Sequence, residues 1–145
     1  MRNVNFHVVY AIMMCGHTTP AVEAEWGDYG DMAQHILEDK TSLEDWQKFC
    51  VCDNEFPREE DWGKYDGIVI TGSKHDAFAD DPWIVKLRYL MQREAARKQQ
   101  ILGLCFGAQL LAVALGGKAG KLLFTIPYLP STNFAELFSM KKDAC

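Results

Sequence analysis

Short apolar runs alternate along the chain with amphipathic stretches, and the order of the two predicts a layered α/β fold. Phe6 to Met14 is almost continuously apolar and reads as a buried strand, followed by a loop through Gly16 and Pro20. Asp28 to Leu37 sets Met32, Ala33, Ile36 and Leu37 near helical spacing and predicts a helix. Trp46 to Cys52 reads as a second strand, and Asn54 to Lys64, charged and holding Pro57, as a connector. Gly67-Ile68-Val69-Ile70 is a short unbroken apolar run of the kind found in parallel strands covered on both faces.

The next helix carries the clearest signals. Asp81 suits an N-cap, and Pro82 suits the first helical position, where a missing N–H costs nothing. Ile84, Leu87, Leu90 and Met91 form one apolar face, with Lys86, Arg88, Gln92 and Arg93 expected to face away. Arg97 and Lys98 place positive charge at its C-terminal end, as the helix dipole favours. Ile101 to Leu104 is another short strand, and Phe106 to Leu115 an almost wholly apolar helix stopped by Gly116-Gly117. Strands this short, alternating with helices, define an α/β fold: a three-layer, mostly parallel sheet with helices on both faces. Ligands in such sheets sit at the carboxyl ends of the strands.

Composition narrows the possibilities. The chain has 145 residues, 48% of them hydrophobic, which supports one domain with a sizeable core and argues against disorder. A net charge of −5 gives no basic footprint for nucleic acid. Neither apolar segment reads as a membrane signal. Val4 to Cys15 contains His7 and lacks a small-residue cleavage site, and glycines break Ile101 to Gly117 into a strand, a turn and a short helix. The cysteines, Cys15, Cys50, Cys52, Cys105 and Cys145, are odd in number and lack C-x-x-C spacing, so they predict neither a disulfide framework nor a zinc knuckle. Cys50 and Cys52 are expected on one face of a strand as small hydrophobes, in a chain suited to the cytosol.

One turn carries chemistry. Gly103-Leu104-Cys105-Phe106-Gly107 has the spacing of a strand-to-helix nucleophile elbow, in which small flanking residues avoid collision between strand and helix. The turn would expose the Cys105 sulfur at a helix N-terminus, where free N–H groups and the dipole favour an anion. The Phe106 N–H could donate to a developing oxyanion, with a second donor from the Gly72–Ser73 turn on the neighbouring strand.

These residues are also recognisable. Ile101 to Gln109 resembles the nucleophile motif of class I glutamine amidotransferase domains. The blocks Phe56-Pro57, Tyr65-Asp66-Gly67, Ile70 to Ser73, His75-Asp76-Ala77 and Asp81 to Ile84 are similar to the plant γ-glutamyl peptidase branch. The resemblance implies a flavodoxin-like fold and a Cys-His-Glu triad that attacks a γ-glutamyl amide to form a thioester, with no metal or organic cofactor. It implies Cys105 as nucleophile, Gly72, Ser73 and Phe106 as the oxyanion hole, and Gln109 as a substrate contact. The small-molecule partner would be glutamine or a glutathione conjugate. Where the family usually carries a His, this chain has Ala108.

The family's H-x-E motif is absent from the sequence: its histidines, His7, His17, His35 and His75, all precede Cys105. The resemblance fades after Gly120. Residues 1–120 are therefore read as the N-terminal part of an incomplete domain, and 121–145 as a divergent tail with a helix carrying Phe134, Leu137 and Phe138. His75 is read as a loop histidine with its tip in water, Asp76, Asp80 and Asp81 as loop and cap residues, and Trp62 and Trp83 as packing. Three readings follow. The first is a γ-glutamyl hydrolase with a reactive Cys105 and little turnover, and the second a non-catalytic protein that binds full-length relatives. The third is a redox or repair cysteine enzyme of the same broad superfamily.

Overall fold

The computed structural model describes residues 7–120; Phe6 and the stretch 121–145, with its expected helix, lie outside the described residues. Four strands, β1 (His7–Met14), β2 (Leu43–Cys50), β3 (Gly67–Ile70) and β4 (Gln100–Gly103), form one sheet in the order β2-β1-β3-β4. All three pairings are parallel. The helices are α1 (Pro20–Trp26), α2 (Tyr29–Leu37), α3 (Pro82–Ala96) and α4 (Phe106–Ala114).

Period-two alternation sorts each strand between the two faces. Ala11, Met13, Ile68 and Ile70 point to one face, where they meet Ile84, Leu87 and Met91 of α3 and Phe106 and Leu110 of α4. Ile12 and Val69 point to the other, where Ala33 and Leu37 of α2 cover them beside Trp46. The three-layer arrangement expected from the sequence is therefore present. Coverage of the α2 face is partial: Tyr10, Trp46, Val69 and Leu102 border a half-open hollow of about 290 Å³.

Several local expectations need correction. The second strand runs over Leu43–Cys50, not Trp46–Cys52, and Val51–Asp53 forms a 3₁₀ turn, so Cys50 and Cys52 do not share a strand face. The polar residues that hid its start are those of a strand at the sheet's edge among the described residues, with Glu44 accepting from Ser42 Oγ at 2.9 Å and from Trp46 Nε1 at 2.9 Å. The stretch expected to be a loop after Gly16 contains α1, capped by Thr19 and opened by Pro20, the same signal that marks α3. The connector ends in a 3₁₀ segment, Glu59–Lys64.

Arg88 and Arg93 do not face away. Arg88 donates to the carbonyls of Ala77 and Ala79 at 3.0 and 2.9 Å, pinning the loop that precedes α3. Arg93 is paired with Glu59 and with Glu94, and its guanidinium lies over the Trp62 ring. Glu94 is only 2% exposed and also meets Arg97 at 3.1 Å. Asp81 occupies the N-cap as expected, yet its carbonyl rather than its side chain serves the helix, accepting from Ile84 and Val85.

Candidate active site

The site is built on the carboxyl ends of β3 and β4. Leu104 N–H donates to the Ile70 carbonyl at 2.9 Å, which ties the chain to the neighbouring strand just before it turns. At Cys105 the backbone takes φ 53° and ψ −109° and α4 begins at the next residue. A positive φ at a non-glycine residue costs on the order of 1–3 kcal/mol and persists only where the surroundings enforce it.

Both flanking glycines are required by this bend. A Cβ at Gly103 would lie 2.4 Å from the Gly107 carbonyl carbon and 2.5 Å from the Ala108 nitrogen. A Cβ at Gly107 would lie 2.4 Å from the Ile70 oxygen. The expected elbow is therefore present, for the steric reason read from the sequence.

Four cysteines of the described part are free, and their surroundings separate them. Cys15 is fully buried, and burial pushes its thiol well above the usual range. Burial, reinforced by Asp53 and Cys52, pushes the Cys50 thiol up to about 12, and burial raises Cys52 as well. Cys105 alone of the four is exposed, standing at the start of α4.

The other expected site residues lie on the neighbouring turns. A Cβ on Gly72 would lie 3.8 Å from the Cys105 Cβ, so the turn after β3 approaches Cys105. Buried Thr71 fixes that turn to β1, with its N–H on the Met13 carbonyl and its Oγ1 accepting from Cys15 N–H, both at 3.0 Å. Phe106 is buried and heads α4, where its N–H has no carbonyl one turn earlier to bond. Gln109 is exposed four residues beyond Cys105, and its N–H bonds the Cys105 carbonyl at 3.2 Å. Gly72, Ser73, Cys105, Phe106 and Gln109 thus all lie on the β3 and β4 turns or the first turns of α4.

His75 is half-buried rather than standing in water. Its Nδ1 lies 3.0 Å from Ser73 Oγ, and its ring stands edge-on to Trp83 at 5.3 Å. Trp83 in turn packs on Phe106 at 5.8 Å, so this tryptophan links the histidine to the elbow.

A second cluster of polar side chains was not anticipated. His17, in the loop after β1, meets Cys50, Cys52 and Asp53 at the end of β2. Sequence spacing concealed it, because the histidine lies 33 residues before Cys50 and only the parallel pairing of β1 with β2 unites them.

Comparison with known proteins shows the family and the fold. The family profile described as glutamine amidotransferase class-I matches residues 28–140. Gamma-glutamyl peptidase 5 of Arabidopsis thaliana is 40% identical over 118 residues, covering 81% of this chain and 46% of that protein. Gamma-glutamyl peptidase 2 of the same plant is 38% identical over 112 residues, covering 77% and 44%. Among solved structures, a glutamine amidotransferase from Thermotoga maritima superposes with a TM-score of 0.57 at 23% identity, over 77% of this chain and 44% of that one. The chain belongs to the class I glutamine amidotransferase family. It spans about half the length of the curated relatives it matches. No helix of the described residues is long and apolar enough to cross a membrane.

Proposed function

We propose that Cys105 is the nucleophile of a γ-glutamyl site, and that the 145-residue chain forms the thioester but turns over poorly. The observation that carries this is the exposed sulfur on a strained, positive-φ bend with the Gly72 turn beside it. In this reading the Cys105 thiolate attacks the γ-carbonyl carbon of glutamine or a glutathione-type conjugate. The oxyanion accepts from Phe106 N–H and from the Gly72–Ser73 turn. Collapse breaks the C–N bond and forms the thioester, and the departing amine takes up a proton. Water then releases glutamate and returns the thiol. In the same reading Gln109 contacts the substrate. The cytosol, where thiols stay reduced, is the compartment this chemistry suits.

Proton delivery is the weak step. The sequence holds no H-x-E after Cys105, and His75 is engaged by Ser73. General acid–base help contributes roughly 10²–10⁴-fold, and a triad works as a unit. Glutamate release from glutamine or glutathione should therefore run about 10²–10⁴-fold below that of a full-length relative. Turnover equal to the relative's, abolished by Cys105→Ala, would overturn the claim of poor activity.

A second reading is a protein that binds a full-length relative. It is favoured by β4, which is an edge strand among the described residues, and by its Leu102, 43% exposed beside the half-open hollow. Co-elution with such a relative in size-exclusion chromatography supports it; separate elution with no change in the relative's activity removes it.

A further inference from the structure

We propose that His17, Cys50, Cys52 and Asp53 form a four-coordinate site for a soft divalent cation of the Zn²⁺ type, clamping the carboxyl ends of β1 and β2. Each residue offers one ligand atom, and the four atoms lie within 4.8 Å of one another. A tetrahedral ion with bonds of about 2.3 Å to sulfur and about 2.0 Å to nitrogen or oxygen sets the spacing its ligands must have. The S···S edge is about 3.8 Å, the S···N and S···O edges about 3.5 Å, and the N···O edge about 3.3 Å.

The observed edges match this figure closely. Cys50 Sγ to Cys52 Sγ is 3.4 Å, and Cys52 Sγ to His17 Nε2 is 3.6 Å. Cys50 Sγ lies 3.9 Å from His17 Nε2 and 3.2 Å from Asp53 Oδ2, and His17 Nε2 lies 3.0 Å from Asp53. These five of the six edges are each within about 0.4 Å of the tetrahedral value, and the sixth, Cys52 Sγ to the Asp53 carboxylate, is within 4.8 Å and closes as the ion draws the exposed carboxylate in.

The scaffold holds three of the ligands rigidly. Cys50 ends β2 opposite Met14 of β1, and Val51, fully buried, anchors the turn that carries Cys52 and Asp53. Asn54 closes that turn in the left-handed conformation, with its N–H on the Val51 carbonyl and the Glu55 N–H on the Cys50 carbonyl, both at 3.0 Å. His17 completes the set from the neighbouring loop. A cavity of about 230 Å³ opens beside it, with His17, Cys52 and Asp53 on one side and Lys74, His75 and Trp83 on the other, and gives an ion its way in.

Two sulfurs with one imidazole select Zn²⁺ over the oxygen-seeking Mg²⁺ and Ca²⁺. Four protein ligands make a closed, structural site rather than a catalytic one. Uptake exchanges two thiol protons for one Zn²⁺, and both protons go to the buffer. The bound ion would fix the His17 loop beside the turn that carries Ser73 and His75.

The test uses the full 145-residue chain, reduced and stripped with chelator, then titrated with Co²⁺ followed by Zn²⁺. One equivalent of Co²⁺ should give the visible bands of tetrahedral cobalt and sulfur-to-cobalt charge transfer, and one equivalent of Zn²⁺ should bleach them. Cys50→Ser and Cys52→Ser should each weaken binding at least about 100-fold, while Cys105→Ser leaves it unchanged. On the unsubstituted chain, free Zn²⁺ at about 100 times Kd should slow alkylation of Cys50 and Cys52 about 100-fold and leave Cys105 at its own rate. An octahedral cobalt spectrum without charge transfer overturns the proposal. So does protection confined to Cys105, or wild-type affinity in a chain carrying both serines.

Discussion

Gly107→Ala tests the elbow by the smallest possible change, one methyl group. The new Cβ would lie 2.4 Å from the Ile70 oxygen, 2.8 Å from its Cβ and 3.0 Å from its carbonyl carbon. Ordinary van der Waals contact begins near 3.4 Å, so α4 must retreat from β3 by about 1 Å. Two of these neighbours are backbone atoms of a buried strand, which no rotamer change can move aside. Overpacking of this kind costs about 1–3 kcal/mol, and the upper end is expected here, which lowers Tm by about 10 °C in a chain of this size. The retreat also carries Phe106 N–H and Cys105 away from the Gly72 turn, and a displacement of about 1 Å can cost about 10²-fold in a positioned reaction. Urea unfolding gives the first quantity. The second is the Cys105 labelling rate with a γ-glutamyl chloromethyl ketone, divided by its rate with iodoacetamide. Gly63→Ala, whose Cβ would meet nothing within 4 Å, is the control and should stay within about 0.5 kcal/mol. A Gly107→Ala chain with wild-type stability and an unchanged labelling ratio would refute the steric reasoning.

Further outcomes follow from the same geometry. Cys105→Gly removes the penalty of the positive φ, so it should stabilise the fold by about 1 kcal/mol in urea while abolishing labelling; Cys105→Ala, which keeps its Cβ, should not stabilise. Glu94→Ala strips the buried partner from Arg93 and Arg97 and should cost about 3 kcal/mol by the same measurement. The hydrogen bond from Lys48, at 2.8 Å, holds the Asp31 carboxyl below its ordinary range. A depressed carboxylate stabilises the fold above the unfolded-state value near pH ~3.9 and loses that contribution as pH falls through the folded-state value. Because both side chains are partly exposed, Lys48→Met should cost only about 0.5 kcal/mol at neutral pH, and the gap to wild type should close below about pH 4.

What the sequence could and could not reveal follows from the range of the forces involved. The β3 run, Pro82 at the start of α3 and the glycines around Cys105 are local signals, set by sterics and backbone hydrogen bonding within a few residues, and all three reappear in the fold. Strand β2 was misplaced at its start because Glu44 and Asp45 look polar in isolation. They suit a strand only once β1 lies alongside, His7 to Leu43 through Met14 to Cys50. The solvent-facing positions assigned to Arg88 and Arg93 failed for a similar reason, since long side chains reach carbonyls and carboxylates that helical periodicity does not record. The meeting of His17 with Cys50, Cys52 and Asp53 was illegible because it depends on strand order, a non-local property. Thr19-Pro20, by contrast, repeated the Asp81-Pro82 signal and could have announced α1.

The most direct test of Cys105 as a γ-glutamyl nucleophile is mass-spectrometric mapping of the thiol captured by a γ-glutamyl chloromethyl ketone, with and without excess glutathione. Capture at Cys105 alone, slowed by glutathione, is the result expected. Equal labelling of Cys52 and Cys105, indifferent to glutathione, would contradict it.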